Sequence, residues 1–378
     1  MKHYNYIFTG TGLAALMTVY EMVMSKKFKD KTILLLDVDV KKTNDRTWCF
    51  WDNDQLFESI TSKKWSHAWF VNKNLKIDLK LQPYQYKMIR GLDFYNYVFL
   101  LLENEKNIVF KNQKVHQIVD QNTFCEVTTT AEKYSCDLIF NSIFDGKIVQ
   151  NQTKYPLLQQ HFIGWFIKCD QPIFDKQAVH FMDFSVEQKN NTRFMYVLPT
   201  AANEALIEYT LFSKDLLADD EYEKEIKKYI ANLGITDYQI IEKEKGNIPM
   251  TCFEFWKNNS KNIVHIGSAG GWTKASTGFT FKNVTKLSAK LVAFLQSDKD
   301  LTKFYKKDKF WFYDLLFIDV LFKNNALGAT VFSALFQKGN PILIFRFLDG
   351  ETSFLEDVKV MLKCPKLPFI KALLTRFL

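Results

Sequence analysis

A single glutamate, Glu208, lies inside the strand-like run EALIEYTLFS at positions 204–213. Side chains on a strand alternate between its two faces, so Glu208 shares a face with Leu206 and Phe212, and neither face is polar enough to be a solvent face. Burial disfavours the charged form of a carboxyl group, and an acid that stays protonated can donate a proton. Two alternatives stay open: an edge strand that lets Glu208 reach water, and a paired structural carboxylate.

A glycine-rich turn at positions 10–15 stands between a predicted strand, YNYIFTG, and a predicted helix. Gly10 permits the tight turn, Gly12 lets the backbone approach a pyrophosphate, and Ala15 lets the helix pack closely on the strand. The helix N-terminus offers free N–H groups to phosphates, and Asp37 closes the next strand, where an acid would hold a ribose hydroxyl. The predicted dinucleotide-binding residues are Gly10, Thr11, Gly12, Leu13, Ala15 and Asp37. The alternative is a tight glycine turn with an ordinary helix-capping aspartate.

A second strand-to-helix glycine turn, HIGSAGG, follows late in the chain with Gly267, Gly270 and Gly271. A late second phosphate contact beside the first is how two-segment FAD domains close on their cofactor, and a domain that binds only NAD would not need it. The pair of turns therefore favours FAD. The alternative for the second turn is a helix cap without a ligand.

The composition is that of a folded, aromatic-rich chain. Of its 378 residues, 47% are hydrophobic and 35 are phenylalanine, which excludes a disordered chain and fits two domains or one domain with long insertions. The net charge of +8 is carried mostly by lysine without a compact basic block, so nucleic acid is not an expected partner. The six cysteines and six histidines lack metal-ligand spacing, which predicts no metal site and a reducing compartment. No apolar run reaches the ~18 residues of a membrane span.

The pattern along the chain predicts an α/β fold: a doubly wound sheet, an inserted antiparallel sheet on the substrate side, and a helical C-terminal region. A lysine-rich helix is expected at about 219–232, and Ser353 and Glu356 predict a capping box for a later helix. The predicted units are a first FAD-binding segment at 1–60, a mixed segment that returns to the FAD domain at 61–149, the antiparallel sheet at 150–250, a second FAD-contacting segment at 251–296, and a helical cap or membrane-facing region at 297–378.

Several stretches resemble, in the same order, motifs of the bacterial lycopene cyclase family. They are NDRTWCFW at 44–51, FMDF, FMYVLPTAANEALIEYTLFS, GNIPMT, GSAGGWTKASTGFTFKN and the C-terminal PILIFRFLDGETSFLED and PKLPFIKALL. NDRTWCFW and LIEYT are the specific ones, since many flavoproteins share the glycine motif. The resemblance covers essentially the whole chain. It implies an FAD-binding, Rossmann-like sheet of the hydroxylase-like flavoprotein type, and an enzyme that converts the acyclic ψ-ends of lycopene to β-rings.

The resemblance also implies roles for individual residues. Glu208 stands at the first acid of the family's strand motif, the acid held essential, whereas Tyr209 replaces the second acid. That departure argues against a mechanism that needs two adjacent carboxylates. Arg46 is predicted to position the flavin or a phosphate, with a domain-packing ion pair as the alternative. The resemblance further implies that FAD acts in its reduced form without net redox change, with NAD(P)H as the electron source.

Lycopene and its cyclic product are isomers, so the reaction needs a proton donor, stabilisation of a tertiary carbocation and a dry cavity. Glu208 is the predicted donor. A reduced, anionic flavin would stabilise the cation electrostatically, and each aromatic face would add about 0.5–2 kcal/mol. The candidate substrate-lining residues are Trp48, Trp51, Trp272 and Tyr209. Plain core packing is the alternative for the tryptophans.

Lycopene and other ψ-end carotenoids dissolve only in membrane, so a membrane surface is an expected partner. The basic, phenylalanine-rich C-terminal helices suit such contact, and a helical cap on the core is the alternative. We expect a cytoplasmic protein that is bound peripherally to the inner face of the cell membrane. Two other functions stay open: an FAD-dependent monooxygenase acting on a hydrophobic substrate, and a non-enzymatic membrane protein that binds flavin or carotenoid.

Overall fold

The computed structural model describes residues 1–297 and 300–377; positions 298, 299 and 378, which fall in the predicted C-terminal unit, lie outside the described residues. The strands are β1 (Lys2–Thr9), β2 (Ile33–Asp37), β3 (Thr47–Asp52), β4 (Lys63–Trp65), β5 (His67–Asn72), β6 (Leu75–Asp78), β7 (Gln85–Arg90), β8 (Ile108–Asn112), β9 (Val115–Asp120), β10 (Cys125–Thr129), β11 (Lys133–Asn141), β12 (Leu158–Cys169), β13 (Ala178–Asp183), β14 (Thr192–Pro199), β15 (Glu204–Ser213), β16 (Tyr238–Met250) and β17 (Ile263–His265). The helices are α1 (Leu13–Ser25), α2 (Gly91–Leu102), α3 (Lys147–Gln150), α4 (Asp219–Asn232), α5 (Phe281–Phe294), α6 (Lys309–Lys323), α7 (Gly328–Lys338), α8 (Pro341–Leu348), α9 (Phe354–Met361) and α10 (Lys366–Phe377). Short 3₁₀ helices lie at Glu58–Ile60, Phe255–Asn258, Gly267–Gly270, Leu301–Lys303 and Asn325–Leu327.

The first sheet has the parallel core that the N-terminal sequence predicts. β1 pairs in parallel with β2 and β11, β2 pairs with β8, and β17 pairs with β11. β10 and β9 extend the sheet in antiparallel fashion. The apolar residues of β2 are all buried, as expected for a parallel strand covered on both faces. α1 and α5 pack against each other, and the hydroxyl groups of Thr18 and Ser288 lie 3.1 Å apart between them.

The second sheet has the strand order β16-β12-β15-β14-β13-β5-β6 and is antiparallel except where β13 meets β5. It confirms the predicted antiparallel sheet, but it also recruits β5 and β6 from before residue 150. β15 pairs with β12 and with β14, so it is an interior strand. The edge-strand alternative for Glu208 is therefore wrong. A small third sheet has the strand order β3-β7-β4.

The two faces of the second sheet have different covers. The helix face is the one that carries Tyr209, and it packs on the apolar side of α4 through Tyr222 and Ile226. α4 confirms the lysine-rich helix predicted for this region. The cleft face is the one that carries Glu208, and it turns toward the first sheet and toward α7, whose Phe332 and Leu335 are buried with it.

The C-terminal helices divide into a buried and an exposed group. Helices α6, α7 and α8 place apolar residues in the core beneath the cleft face. This part of the chain therefore packs as a helical cap on the core, which was the alternative to membrane contact. α9 and α10 are more exposed, and Ser353 and Glu356 form the predicted capping box at the start of α9. Among the described residues, no single helix has the length and apolarity to cross a membrane, and one bent pair, Lys309–Lys323 with Asn325–Lys338 at 114°, meets those criteria only when taken together.

Candidate active site

One continuous cleft of about 590 Å³ runs from the glycine turn before α1 to the cleft face of the second sheet. Gly10, Gly12 and Asp37 line one end of this space. Glu208 and Glu244 line the other end. The predicted dinucleotide site and the predicted acid therefore open into the same space.

The glycine turn has the shape that a pyrophosphate site requires. Gly10 has a φ of +83°, and a Cβ at this position would lie 2.4 Å from Oγ of Ser142, so glycine alone fits. A Cβ on Gly12 would meet nothing within 4 Å, which leaves the space in front of the backbone open. α1 begins at Leu13 without a side-chain cap, so the first N–H groups of the helix are available to a ligand. Ala15 is fully buried, as close packing of helix on strand demands. These features fit the phosphates of a dinucleotide.

Asp37 both lines the cleft and braces the turn. Its Oδ2 accepts hydrogen bonds from the Thr11 backbone N–H at 2.6 Å and from the Thr11 hydroxyl at 2.9 Å. Its Oδ1 accepts a hydrogen bond from the Asp39 N–H at 2.9 Å. The carboxylate thus has a structural task, and it stands at the C-terminal end of β2, where a ribose-binding acid is expected.

The second glycine turn lies beside the first. Gly267 has a φ of +59°, and a Cβ there would lie 3.1 Å from the Cβ of Ala14 in α1. Gly267 lines the cleft, but Gly270 and Gly271 do not. A Cβ on Gly270 would lie 2.1 Å from the carbonyl oxygen of His265, so this glycine serves the backbone turn. The two turns are adjacent, as two-segment FAD binding requires, but only part of the second turn faces the cleft.

Arg46 and Gln160 are among the other polar side chains that line the cleft. Arg46 donates a hydrogen bond of 2.6 Å from Nη1 to the carbonyl oxygen of Asp45. Within the described part of the chain Arg46 forms no ion pair, so the alternative of a domain-packing ion pair is not realised. Oε1 of Gln160 is buried and lacks a hydrogen-bond partner among the described residues. Such an acceptor suits a polar edge of a bound cofactor.

Glu208 lies in the middle of β15, opposite Gly164 of β12 and Tyr196 of β14. The residue is only 7% exposed, and the Thr210 hydroxyl donates a hydrogen bond to its Oε1. Burial, followed by the nearby charge of Glu244, raises the pKa of Glu208 well above its usual range. The raised pKa favours the protonated form of the carboxyl group, which faces the cleft as a candidate acid.

Glu244 of β16 brings a second carboxyl group to the same place. Gly164 pairs with Glu208 on one side and with Glu244 on the other, so the three residues form one row across three strands. The Thr47 hydroxyl donates a hydrogen bond of 2.7 Å to Oε2 of Glu244. Burial raises the pKa of Glu244, while the Thr47 hydrogen bond and the charge of Arg90 oppose that rise.

Aromatic side chains form a large part of the cleft walls. They are Tyr86, Phe162, Phe181, Phe194, Tyr196, Phe212, Phe279, Phe281, Phe332 and Phe336. Trp48 also lines the cleft, with its ring 5.9 Å from that of Phe281. Such walls keep a cavity apolar and present π faces to a cation.

The other predicted substrate-lining residues do not contribute to the cleft walls. Trp51 donates a hydrogen bond of 2.8 Å from its ring nitrogen to Oδ2 of Asp349. Trp272 is buried in the core of the first sheet. Tyr209 lies on the helix face, where its hydroxyl accepts a hydrogen bond of 2.9 Å from Arg193. Their positions support core packing and give no support to substrate contact.

Glu244 cannot be recognised as a site residue from local sequence patterns. The run YQIIEKEKGNIPM alternates acids with lysines, which places Glu242 and Glu244 on one side of a strand and Lys243 and Lys245 on the other. That alternation was the available signal, but it does not reveal which strand lies next to β16. Among the described residues, no group of three or more histidine, cysteine, aspartate or glutamate side chains is arranged to hold a metal ion.

Known proteins match this chain over most of its length. A family model described as lycopene cyclase protein matches residues 5–374. A lycopene beta-cyclase from Pantoea ananas is 22% identical over 298 residues, which cover 77% of this chain and 74% of that protein.

Two solved structures illustrate the fold. A flavoprotein/dehydrogenase from Cytophaga hutchinsonii aligns with a TM-score of 0.66 at 10% identity, covering 96% of this chain and 99% of that one. Halogenase PltM, solved with phloroglucinol and FAD, aligns with a TM-score of 0.60 at 13% identity, covering 97% of this chain and 87% of that one. At these identities the likeness establishes the flavoprotein fold.

Proposed function

Because the chain belongs to the lycopene cyclase family, whose model matches residues 5–374, we propose that it closes the ψ-ends of lycopene into β-rings and so forms β-carotene by way of γ-carotene. One observation carries this proposal: the Glu208 carboxyl group is buried, has a pKa raised by that burial, and faces a cleft that reaches the glycine turn. Ring closure of an alkene needs such an acid, because a dry cavity offers no other source of a proton.

FAD is the cofactor that we assign to the cleft. Its phosphates would be held by the turn at Gly10 and Gly12 and by the N-terminus of α1, its ribose by Asp37, and a polar edge by Gln160. In its reduced, anionic form FAD would supply a fixed negative charge beside the developing cation without net redox change, and NAD(P)H is the proposed source of its electrons. Gly12→Val should fill the open space and remove flavin absorbance; full flavin occupancy in the folded variant would refute the assignment.

The proposed reaction moves one proton in and one proton out. Glu208 gives its proton to the terminal double bond, whose π electrons form the new C–H bond and leave a tertiary cation on the adjacent carbon. The π electrons of the internal double bond then form the ring C–C bond and move the cation into the ring. Loss of a neighbouring proton turns its C–H electron pair into the ring double bond, so no electrons and no water are consumed.

The residues around Glu208 are proposed to keep this cation from water. Trp48, Phe181 and Phe194 line the cleft with their rings, and each π face would contribute about 0.5–2 kcal/mol to a nearby cation. Water in this space would convert the cation to an alcohol, so the apolar walls also determine the product.

We propose that α9 and α10 dock on an anionic membrane, from which the carotenoid would enter. The large apolar side chains exposed on and near these helices are Phe354, Leu355, Val358, Met361, Leu362, Leu367, Ile370, Leu374 and Phe377. Lys359, Lys363 and Lys371 lie between them in the sequence, a pattern typical of helices that lie in a membrane interface. The proposed location is the inner face of the cell membrane. Flotation with anionic vesicles should be reduced in Leu355→Ser/Leu367→Ser, and equal flotation of that variant and the wild type would contradict this surface.

The proposed function is tested by expression in a lycopene-accumulating host and chromatography of the pigments. β-Carotene is expected, and unchanged lycopene beside a soluble, FAD-loaded protein would contradict the proposal. The purified protein, supplied anaerobically with chemically reduced FAD, should form rings without stoichiometric oxidation of NAD(P)H. Oxygen insertion with one NAD(P)H oxidised per turnover would instead support a monooxygenase.

A further inference from the structure

The residue that follows Glu208 does not contribute a second acid to the cleft. Tyr209 lies on the helix face, is fully buried and accepts a hydrogen bond from Arg193. A second carboxyl group is nevertheless present, and it comes from β16, 36 positions further along the chain, in Glu244.

Gly164 is the reason that the two carboxyl groups can meet. It lies between Glu208 and Glu244 in the row across β15, β12 and β16. A Cβ on Gly164 would lie 3.2 Å from Cγ of Glu244, 3.4 Å from Cβ of Glu208 and 2.8 Å from Cδ1 of Leu206. The missing side chain therefore leaves a gap between the two glutamates, and both of them line the cleft beside it. At this separation the charge of Glu244 raises the pKa of Glu208.

We propose that Glu244 is the second carboxyl group of the acid site, and that it shares one proton with Glu208 across the gap at Gly164. Glu244 is a positioning residue, because it acts through Glu208 and sets how firmly Glu208 holds the proton that it delivers. This inference rests on the proposed function for its role in ring closure, whereas the shared proton is a property of the folded protein alone.

The surroundings of the pair are asymmetric, and this decides where the proton resides. Nη1 of Arg90 donates a hydrogen bond of 2.9 Å to the Thr47 hydroxyl, which donates one of 2.7 Å to Glu244. This chain of donors favours the carboxylate form of Glu244. Among the described residues, the Thr210 hydroxyl donates a hydrogen bond to Glu208, and no lysine or arginine donates to it directly. The proton therefore resides mainly on Glu208, the carboxyl group that faces the aromatic walls.

The other titratable groups that face the pair stay neutral or lie in an ion pair. Burial raises the pKa of Cys49, Tyr86 and Tyr196, so the thiol and the phenols carry no charge at neutral pH. Glu242 is paired with Arg90. The single negative charge of the carboxyl pair is therefore the group whose removal changes the electrostatics around Glu208.

The acid must hold a proton before the reaction and regain one after giving it to the alkene, and a shared proton assists both steps. Before reaction, the Glu244 carboxylate keeps Glu208 loaded at a pH where an isolated glutamate would be ionised. After proton transfer to the alkene, both carboxyl groups are charged, which stabilises the cation and favours return of a proton from the ring or from solvent. The pair then ends with one proton, as it began.

The shared proton can be tested without any catalysis. In FAD-bound wild-type protein, infrared spectroscopy should detect a protonated carboxyl band that persists at neutral pH and is absent in Glu208→Gln. In Glu244→Gln the midpoint of this band should fall by ~1 pH unit or more, because the like charge beside Glu208 is gone. Glu244→Asp keeps the charge but withdraws it by one methylene group, so its midpoint should fall less.

A kinetic arm measures the same quantity during ring closure. The alkaline limb of the rate against pH should move down in Glu244→Gln by the same interval as the infrared midpoint. Glu204→Gln is the matched control, since Glu204 lies on the same strand in a partly exposed ion pair with Lys168. It should leave both the band and the pH profile unchanged. A merely structural role for Glu244 would alter stability and rate without moving the alkaline limb.

The outcomes separate this inference from the proposed function. Suppose that the wild type forms rings and that Glu244→Gln folds. If neither the infrared midpoint nor the alkaline limb then moves in the variant, the shared proton is refuted and the cyclase proposal is unaffected. A band that titrates as expected in a wild-type protein that forms no rings would refute the cyclase proposal instead. If Glu244→Gln does not fold, Glu244→Asp decides, and an unmoved midpoint there overturns the inference.

Discussion

Both faces of β15 bury polar side chains. On the helix face these groups have hydrogen-bond partners within the protein, whereas on the cleft face a carboxyl group borders open space. On the helix face, Arg193 donates to the Tyr209 hydroxyl at 2.9 Å. On the neighbouring strand, His161 lies 2.5 Å from the Tyr222 hydroxyl and 2.7 Å from the Ser213 hydroxyl, so both ring nitrogens have partners. These groups are enclosed between the sheet and α4, and they stabilise the fold.

The cleft face instead combines acid groups with open space. The Thr210 hydroxyl is the hydrogen-bond donor to Glu208, and the rest of that carboxyl group faces the cleft and Glu244. A buried polar group with complete partners contributes structure, whereas one that borders an unfilled cavity can react with what enters it. One strand serves both purposes because its side chains alternate.

Burial shifts the pKa in opposite directions for the histidine on the helix face and the glutamate on the cleft face, and in both cases it favours the uncharged form. It lowers the pKa of His161 to about 4, and it raises the pKa of Glu208 well above its usual range. Burial therefore favours the uncharged form of both groups. The neutral histidine accepts and donates within a closed network, and the neutral glutamate is an acid loaded with a proton.

The largest expected effect is that of Glu208→Gln on ring formation. The amide keeps the size of the side chain but cannot deliver a proton, so cyclisation should fall by ~10²–10⁴-fold or more. FAD binding should persist, and stability should not fall, because an acid with a raised pKa weakens folding as pH rises above its unfolded value. Product per FAD-loaded protein and the Tm measure both quantities. Ring formation within a factor of a few of wild type would mean that the donor lies elsewhere.

The next effect in size is expected on the helix face, with His161→Leu. Loss of the ring leaves the Tyr222 and Ser213 hydroxyls unpaired, so the free energy of unfolding should fall by ~1–3 kcal/mol at neutral pH. In the wild type, the unfolded state binds more protons than the native state between pH 6.5 and about 4, so stability should fall as pH falls through that window. The variant should lose this part of the pH dependence.

Denaturant unfolding of both proteins at several pH values measures the His161 contribution. Cyclisation per FAD-loaded variant should remain within a factor of a few of wild type. A loss of ring formation as large as that of Glu208→Gln, in a protein that still folds, would erase the proposed difference between the two faces.

The smallest effect is expected for Tyr209→Phe. Only the hydroxyl that pairs with Arg193 is removed, so the free energy of unfolding should fall by ~1 kcal/mol. Ring formation should be nearly unchanged, because this side chain points away from the cleft. A strong loss of product with an unchanged Tm would place Tyr209 in the reaction and contradict its assignment to the helix face.

Local sequence patterns were sufficient to predict the first glycine turn, the helix cap at Ser353 and the two faces of β15. The turn at Gly10 and Gly12, the strand that ends at Asp37 and the capping box at Ser353 each follow from residue types at fixed spacing. The alternation of β15 likewise separated Glu208 from Tyr209 correctly, since opposite faces follow from the backbone of any strand.

Features that depend on long-range strand pairing could not be predicted. Glu244 meets Glu208 only because β16 and β15 flank β12 in a register that centres on Gly164, and nothing local to these strands encodes that register. For a similar reason, the cleft contact predicted for three tryptophans is found only for Trp48. Trp48 lines the cleft and Trp272 lies in the core, although both belong to motifs of the same family, because tertiary packing decides which aromatic ring borders a cavity.

Isotope labelling tests most directly the central claim that the cleft face starts a non-redox ring closure with a proton. Wild-type protein equilibrated in D₂O with reduced FAD, in excess over lycopene, should form rings that each carry one deuterium and no added oxygen by mass spectrometry. Under the same conditions Glu208→Gln should form no rings, and the control Glu204→Gln should match the wild type. Rings without deuterium, or rings formed at the wild-type rate by Glu208→Gln, would contradict the account.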